Sequence, residues 1–320
     1  MKKIISIVLA AIMLVGTFTF VSCGNDASDT LVVAMSPDFA PLEFYDTSKS
    51  GSDAIVGFDV LLSNFIAKEL GKKLVIKPMD FYACMSAVQT GSADLGISGF
   101  AWTADRAENF LISDYYVAGE GNNTDQIVIT LAGNTYTKAE DFNGKKVGAQ
   151  GGSLQQLLVT EQLVSAGAEI VKFDSTSDAL TALKGGQIDA FAVAKVNGDA
   201  FIAQNDGVVD YSGFKFEIDE KYKNNVILLN KSQQSLLEEV NKALAKAMAA
   251  NLYDAWLNAC KTYSDITTID ENGYDENGNK ILGWDENKNP IIDGSIAQGT
   301  ASTDDLEKKA AYESFLKQYQ

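Results

Sequence analysis

Short apolar, β-prone runs alternate along most of this chain with stretches whose apolar positions recur every three or four residues. That alternation predicts strands interleaved with helices. Residues 31–35 form the first apolar run; Pro37 and Pro41 interrupt the next stretch, so 36–42 reads as an exposed loop at a strand end. Residues 55–58 read as a strand. Asp59 then caps a helix whose apolar positions Val60, Leu61, Phe65, Ile66 and Leu70 share one stripe until Gly71 ends it. A strand over 74–76 stops at Pro78, a helix covers 81–90 and a buried strand 94–98. The plan then repeats, with strands at 127–131 and 145–149, a helix at 154–166, a strand at 170–173, a helix at 178–184 and a strand at 188–193. A late strand at 226–229 and a long helical stretch at 235–261, broken near Asn251, complete the pattern. The expected fold class is α/β, with mainly parallel sheets and crossover helices.

An internal echo supports two lobes built alike. Ala87-Val88-Gln89-Thr90-Gly91-Ser92-Ala93-Asp94 reads like Ala182-Leu183-Lys184-Gly185-Gly186-Gln187-Ile188-Asp189: a helix end, a glycine stop and an Asp opening a buried strand. The two ends of the chain differ in character. Lys2 and Lys3 precede an apolar run over 4–20, and Val21-Ser22-Cys23-Gly24 then resembles a bacterial lipobox. Cleavage before Cys23 and lipid attachment to its sulfur are expected; the alternative is an uncleaved helix anchor, and either places the remainder outside the cytoplasm. Residues 266–299 are rich in Asp, Asn and Gly and hold a tandem near-repeat, 273–281 and 283–291. No bidentate acid closes a calcium loop there, so two small hairpins are expected, followed by a short terminal helix over 304–319.

Charge and residue usage narrow the chemistry. With 320 residues and a net charge of −17, the chain lacks the basic surface that nucleic acid requires. It contains no histidine, which removes His-based triads, His general bases and the commonest zinc ligands. No metal or cofactor site and no enzymatic activity are expected. Cys84 and Cys260 lie in apolar helical contexts and read as buried free thiols, although the compartment permits a disulfide. Arg106 is the only arginine; every other basic residue is lysine. A guanidinium fork binds a carboxylate through two parallel hydrogen bonds that an ammonium does not reproduce. An ion pair with Asp105 or Glu108 is the structural alternative.

Several stretches, in order, carry a family resemblance: Phe39-Ala40-Pro41-Leu42-Glu43-Phe44, Val56-Gly57-Phe58-Asp59-Val60, Pro78-Met79-Asp80-Phe81, Ile97 to Arg106, Ser113-Asp114-Tyr115-Tyr116, Asp141 to Gly148, and Gly185 to Ala190. From residue 31 to about 263 the chain resembles the solute-binding proteins of polar amino-acid ABC transporters, the family 3 extracellular solute-binding proteins, in a lipoprotein form. The resemblance implies the type II periplasmic binding-protein fold, two lobes joined by a two-segment hinge. Lobe one would comprise 31–118 and 226–265, lobe two 124–222, with crossing segments near 116–122 and 223–225. Residues 1–22 would be a signal peptide, 23–30 a lipidated tether and 266–320 a C-terminal extension.

The resemblance also implies roles. Arg106 would clamp a ligand carboxylate with help from the Ala101 backbone N–H. Gly99 would offer its carbonyl to an α-amino group, and Phe39 and Phe81 would sandwich the ligand body. Ser153, in a Gly151-Gly152-Ser153-Leu154 turn that opens a helix, would donate to the carboxylate from lobe two. Two positions depart from the family pattern. Ala101 stands where Thr or Ser is usual, and Ala194 where an acid pairs the ligand ammonium. Either Asp199 substitutes for that acid, or the ligand is not an ordinary α-amino acid; Lys195, if it faced the cleft, would attract a second carboxylate. The expected role is delivery of a small carboxylate, an amino acid or a relative of one, to an ABC permease and ATPase from a lipid anchor on the outer side of a bacterial membrane. A cleft enzyme resembling cyclohexadienyl dehydratases and a ligand-sensing module are the alternatives.

Overall fold

The computed structural model describes residues 29–46, 49, 51–118, 125–267, 281–284, 290–292 and 303–319. The expected signal segment, Cys23, hinge residues 119–122 and most of the tandem repeat lie outside the described residues. Two five-stranded sheets dominate. In the first, the spatial order is Lys73–Pro78, Thr30–Met35, Leu95–Gly96, Leu228–Leu229 and Leu111–Ile112; the first three are parallel and Leu228–Leu229 runs against both neighbours. In the second, the order is Glu169–Phe173, Lys146–Gln150, Ala190–Ala194, Gln126–Leu131 and Val209–Lys215; again three parallel strands come first, and Gln126–Leu131 is antiparallel to both neighbours. Between the sheets, Tyr116–Ala118 pairs antiparallel with Asn224–Asn225.

The sequence echo marks structurally matched positions. Asp94 accepts the Val32 N–H through Oδ2 at 2.8 Å, and its own N–H donates to the Val32 carbonyl. Asp189 treats Lys146 in the same way, also at 2.8 Å. In each sheet, then, an acid at the mouth of the third parallel strand closes two hydrogen bonds with its parallel neighbour, fixing register at the strand start. Val209–Lys215 has only partial apolar alternation and is a strand that the pattern did not indicate.

The helices follow the apolar periodicity with local differences. They are α1 Phe58–Glu69, α2 Phe81–Thr90, α3 Ala104–Asn109, α4 Leu154–Gln162, α5 Thr176–Lys184, α6 Lys195–Gln204, α7 Gln234–Ala249, α8 Leu252–Thr267 and α9 Thr303–Tyr319. The expected helix over 154–166 ends early, at Gln162, and a 3₁₀ turn carries the chain to Ala166. The break near Asn251 is a residue at φ 52° between α7 and α8. Asp59 does not cap α1. Gly57 occupies the N-cap, and Asp59 sits in the first turn with its carboxylate fully buried.

α1 is buried nearly all round because it is covered on two sides. Phe58, Leu61, Leu62, Phe65 and Ile66 all enter one core with Trp256 and Cys260 of α8. Each such side chain contributes about 1.5–3 kcal/mol relative to exposure. α9 supplies part of that cover. Tyr312 is fully buried, stacks on Tyr263 at 5.0 Å, and accepts the Gly57 N–H at 3.1 Å. Tyr319 meets Phe65 and Trp256 edge-on. The last helix is thus part of the first sheet's core. Of the expected two hairpins, the described residues hold one antiparallel pair, Ile281–Trp284 with Pro290–Ile292, which brackets the second repeat alone. Cys84 and Cys260 are buried free thiols. No helix among the described residues is long and apolar enough to cross a membrane.

Candidate binding cleft

Parallel strands present their carboxyl ends on one edge of a sheet, where the loops leaving them form a crevice. Here the two sheets turn those edges towards each other. The loops after Thr30–Met35 and Leu95–Gly96 face the turns after Lys146–Gln150 and Ala190–Ala194 across a cavity of about 120 Å³. Phe39, Phe81, Gly99, Ala101, Arg106 and Ser153 all line it, together with Ala194 and the amides Gln126, Gln150 and Gln155.

Arg106 is placed by α3, whose N-cap Thr103 accepts the Arg106 N–H through Oγ1 at 3.2 Å. The side chain is 3% exposed. Nη1 donates to the Ala101 carbonyl, and Nη2 to the Gly152 carbonyl of the opposite sheet at 2.7 Å. The guanidinium lies 5.6 Å from the Phe81 ring and 5.1 Å from Phe100. Among the described residues it forms no ion pair: Asp105 acts on it only at a distance and itself receives the Asn109 amide. Burial lowers its pKa to about 10, opposed by Asp105. This is a desolvated cation with three N–H groups beyond the two bonds made, in a position to take an anion.

Gly99 has φ +55°, and a Cβ there would sit 3.1 Å from Leu42 Cδ1 and 3.2 Å from the Phe39 ring. Only glycine lets the aromatic wall come so close to the loop. Gly152, at φ +76°, permits a similar approach between lobes, since a Cβ would meet Met85 Cε at 2.5 Å. Ser153 lines the cavity, but its hydroxyl caps α4. It accepts the Gln156 N–H at 3.1 Å and donates its proton to the Gln150 carbonyl at 2.7 Å.

Lys195 and Asp199 are not brought to the cleft, which corrects the expectation that either meets the ligand's far end. Helix α6 begins directly at Lys195, which puts the two residues one turn apart on a face away from the cavity. Lys195 Nζ donates to Asp199 Oδ1 and Oδ2 at 2.8 and 2.6 Å and reaches the Tyr211 hydroxyl at 3.4 Å. Ala194 and Val196 line the cavity in their place.

Three acids lie around the cleft in roles that the sequence reading did not assign them. Asp38 reaches across from the first lobe to the start of α5. It accepts the Thr176 N–H and the Gln150 amide, each at 3.0 Å, and the Thr176 hydroxyl at 3.3 Å. Burial raises its pKa, against the lowering effect of those donors. Glu43 and Asp59 form a fully buried pair beneath the loop that carries Ser98 and Gly99. Ser98 Oγ donates to Glu43 Oε1 at 2.7 Å; Asp59 Oδ2 accepts the Gly99 N–H at 2.9 Å and the Tyr116 hydroxyl at 3.1 Å. Burial and the neighbouring Asp59 charge hold the Glu43 carboxyl well above its ordinary range, and burial raises Asp59 to about 6. Burial and the neighbouring like charge therefore both favour the neutral form of Glu43. The available signal was an acid set between apolar neighbours, Leu42 and Phe44 in one case and Phe58 and Val60 in the other.

Residues 31–259 match the bacterial extracellular solute-binding proteins, family 3. The arginine-binding extracellular protein of Bacillus subtilis is 28% identical over 251 residues, 76% of this chain and 92% of that protein. Among solved structures, an amino acid ABC transporter substrate-binding protein from Streptococcus pneumoniae bound to L-arginine is 29% identical with a TM-score of 0.65, over 76% of this chain and 97% of that one. An ancestral arginine-binding protein bound to arginine is 33% identical with a TM-score of 0.63, over 72% of this chain and 97% of that one.

Proposed function

The chain belongs to the bacterial extracellular solute-binding proteins of family 3, and on that premise we propose that it encloses a small carboxylate of amino-acid size between its lobes and delivers it to an ABC importer. Arg106 takes the carboxylate, assisted by the Ala101 backbone N–H. Phe39 and Phe81 wall the ligand body with rigid apolar surface, and Gly99 and the Ser153 turn bound it from opposite lobes. Residues 31–118 with 226–265 and residues 124–222 act as the two closing bodies about the Tyr116–Ala118 and Asn224–Asn225 crossing. Cys23 carries the lipid that keeps the protein at the membrane.

The observation that carries this reading is Arg106: a buried guanidinium, facing a cavity, held by a carbonyl from each side and matched by no carboxylate among the described residues. A cation desolvated in this way is costly unless an anion joins it. The test is calorimetric titration of small carboxylates into wild type, Arg106→Ala and Arg106→Lys. Losing one partner of a desolvated charge pair costs about 2–5 kcal/mol, so Arg106→Ala should bind at least 30-fold more weakly. Arg106→Lys should also lose affinity because the fork is lost. Unchanged affinity in either variant would refute the carboxylate clamp.

A further inference from the structure

The charges around the cavity narrow the ligand beyond its carboxylate, and this step rests on the carboxylate-binding reading above. Three basic residues line the cavity, Arg106, Lys223 and Lys261, of which Lys223 is ion-paired with Glu220, and no Asp or Glu lines it among the described residues. The acids close by are spent on protein donors. Asp38 holds Thr176 and Gln150. Asp59 holds Gly99 and Tyr116, and Glu43 accepts the Ser98 hydroxyl. Asp199 is locked to Lys195 away from the cavity.

The wall at the end of strand Ala190–Ala194 is a methyl group, Ala194, and Ala101 presents another. The remaining polar groups there include the side-chain amides of Gln126, Gln150 and Gln155, with Gln155 Nε2 bonded to Gln126 Oε1. Amides and carbonyls solvate hydroxyl, oxo and amide groups well. They do not neutralise a buried ammonium or guanidinium, which is costly without a counter-charge.

We propose that the ligand is a carboxylate carrying no ammonium or guanidinium group: a mono- or dicarboxylate whose other polar groups are hydroxyl, oxo or amide, bound in preference to the α-amino acid of the same carbon skeleton. Arg106 draws such an anion, and the methyl groups at Ala101 and Ala194 give an α-ammonium no ionic partner.

Matched pairs test this. Calorimetry at pH 7 would compare glutarate and 2-oxoglutarate with glutamate, succinate with aspartate, and glutaramate with glutamine, with arginine and lysine alongside. Each compound without the amino group is expected to bind at least tenfold more tightly than its amino counterpart, and arginine at least 100-fold more weakly than the best carboxylate. Tighter binding of any amino acid than of its deaminated partner overturns the inference and leaves the carboxylate clamp standing. Failure of every compound to bind overturns the clamp as well. Ala194→Asp, which puts a carboxylate on the bare wall, should move the preference towards the amino compounds by tenfold or more; an unmoved ranking in a folded variant, checked by circular dichroism, also overturns the inference. Should that variant not fold, the wild-type ranking alone decides.

Discussion

Removing the buried acids Glu43 and Asp59 together should flatten the pH dependence of stability. In an unfolded chain Asp59 titrates near its ordinary 3.8; in the fold it titrates at about 6. A group raised by folding stabilises fully below its unfolded pKa, and that contribution is lost as pH rises through the folded value. The gap corresponds to about 3 kcal/mol, of which about 2 kcal/mol falls between pH 4.5 and 7.5 by the same linkage. Burial also raises Tyr116, Cys84 and Cys260, which face the pair and stay neutral across this window. Asp38 is raised too and adds in the same direction. Wild type should therefore unfold at lower urea concentration at pH 7.5 than at pH 4.5. Glu43→Gln/Asp59→Asn keeps acceptors for Ser98, Gly99 and Tyr116 and removes both ionisations, so it should recover at least the ~2 kcal/mol that comes from Asp59, Glu43 being raised in the same direction. The assay is urea unfolding by circular dichroism at both pH values, with the two slopes checked for equality. If the double variant lost as much stability with pH as wild type, the buried pair would not be the source of the linkage.

Two further perturbations test how the fold serves the cleft. Asp38→Ala removes acceptors for three donors of the second lobe; offset by relief of its own burial, the loss should be about 1.4 kcal/mol, seen as roughly tenfold weaker ligand binding and a larger radius of gyration in X-ray scattering with ligand present. Unchanged scattering and affinity would show that Asp38 has no part in closure. Tyr312→Phe deprives the buried Gly57 N–H of its acceptor, and should lower unfolding stability by about 1–3 kcal/mol while leaving ligand affinity within twofold; equal urea midpoints for variant and wild type would mean that the α9 contact does not support the first lobe.

The sheets were legible because parallel strands buried on both faces read as continuous apolar runs, and because the Asp94 and Asp189 echo marks the same register lock in each lobe. What escaped was set by tertiary contact. Asp59 comes just after a strand and precedes a helical stripe, so it reads as a cap from local rules; its carboxylate is drawn inward because Gly99 and Tyr116, 40 and 57 residues away, offer it donors. The purpose of the last helix was illegible for a related reason. Its residues show no apolar face of their own, and only the partners Tyr263, Trp256 and Phe65 reveal why Tyr312 and Tyr319 lie where they do.

At the cleft, residue types were more telling than positions. A single arginine in a lysine-rich chain pointed to a guanidinium with a dedicated task, and the structure buries it between carbonyls from both lobes. Lys195 shows the limit of strand alternation as a guide. The pleat would place one of Ala194 and Lys195 towards the cleft if the strand continued, but the chain switches to helix at Lys195. The period then changes from two residues to 3.6, and Asp199, one turn on, captures the ammonium on the outer face. The same switch leaves Ala194 as the last side chain of the strand to look into the cavity. The inward alanine and the outward lysine therefore have one cause, the point at which the helix starts. Under the proposed reading, Arg106 meets the ligand's charge, with no acid at the second lobe's strand end to oppose it.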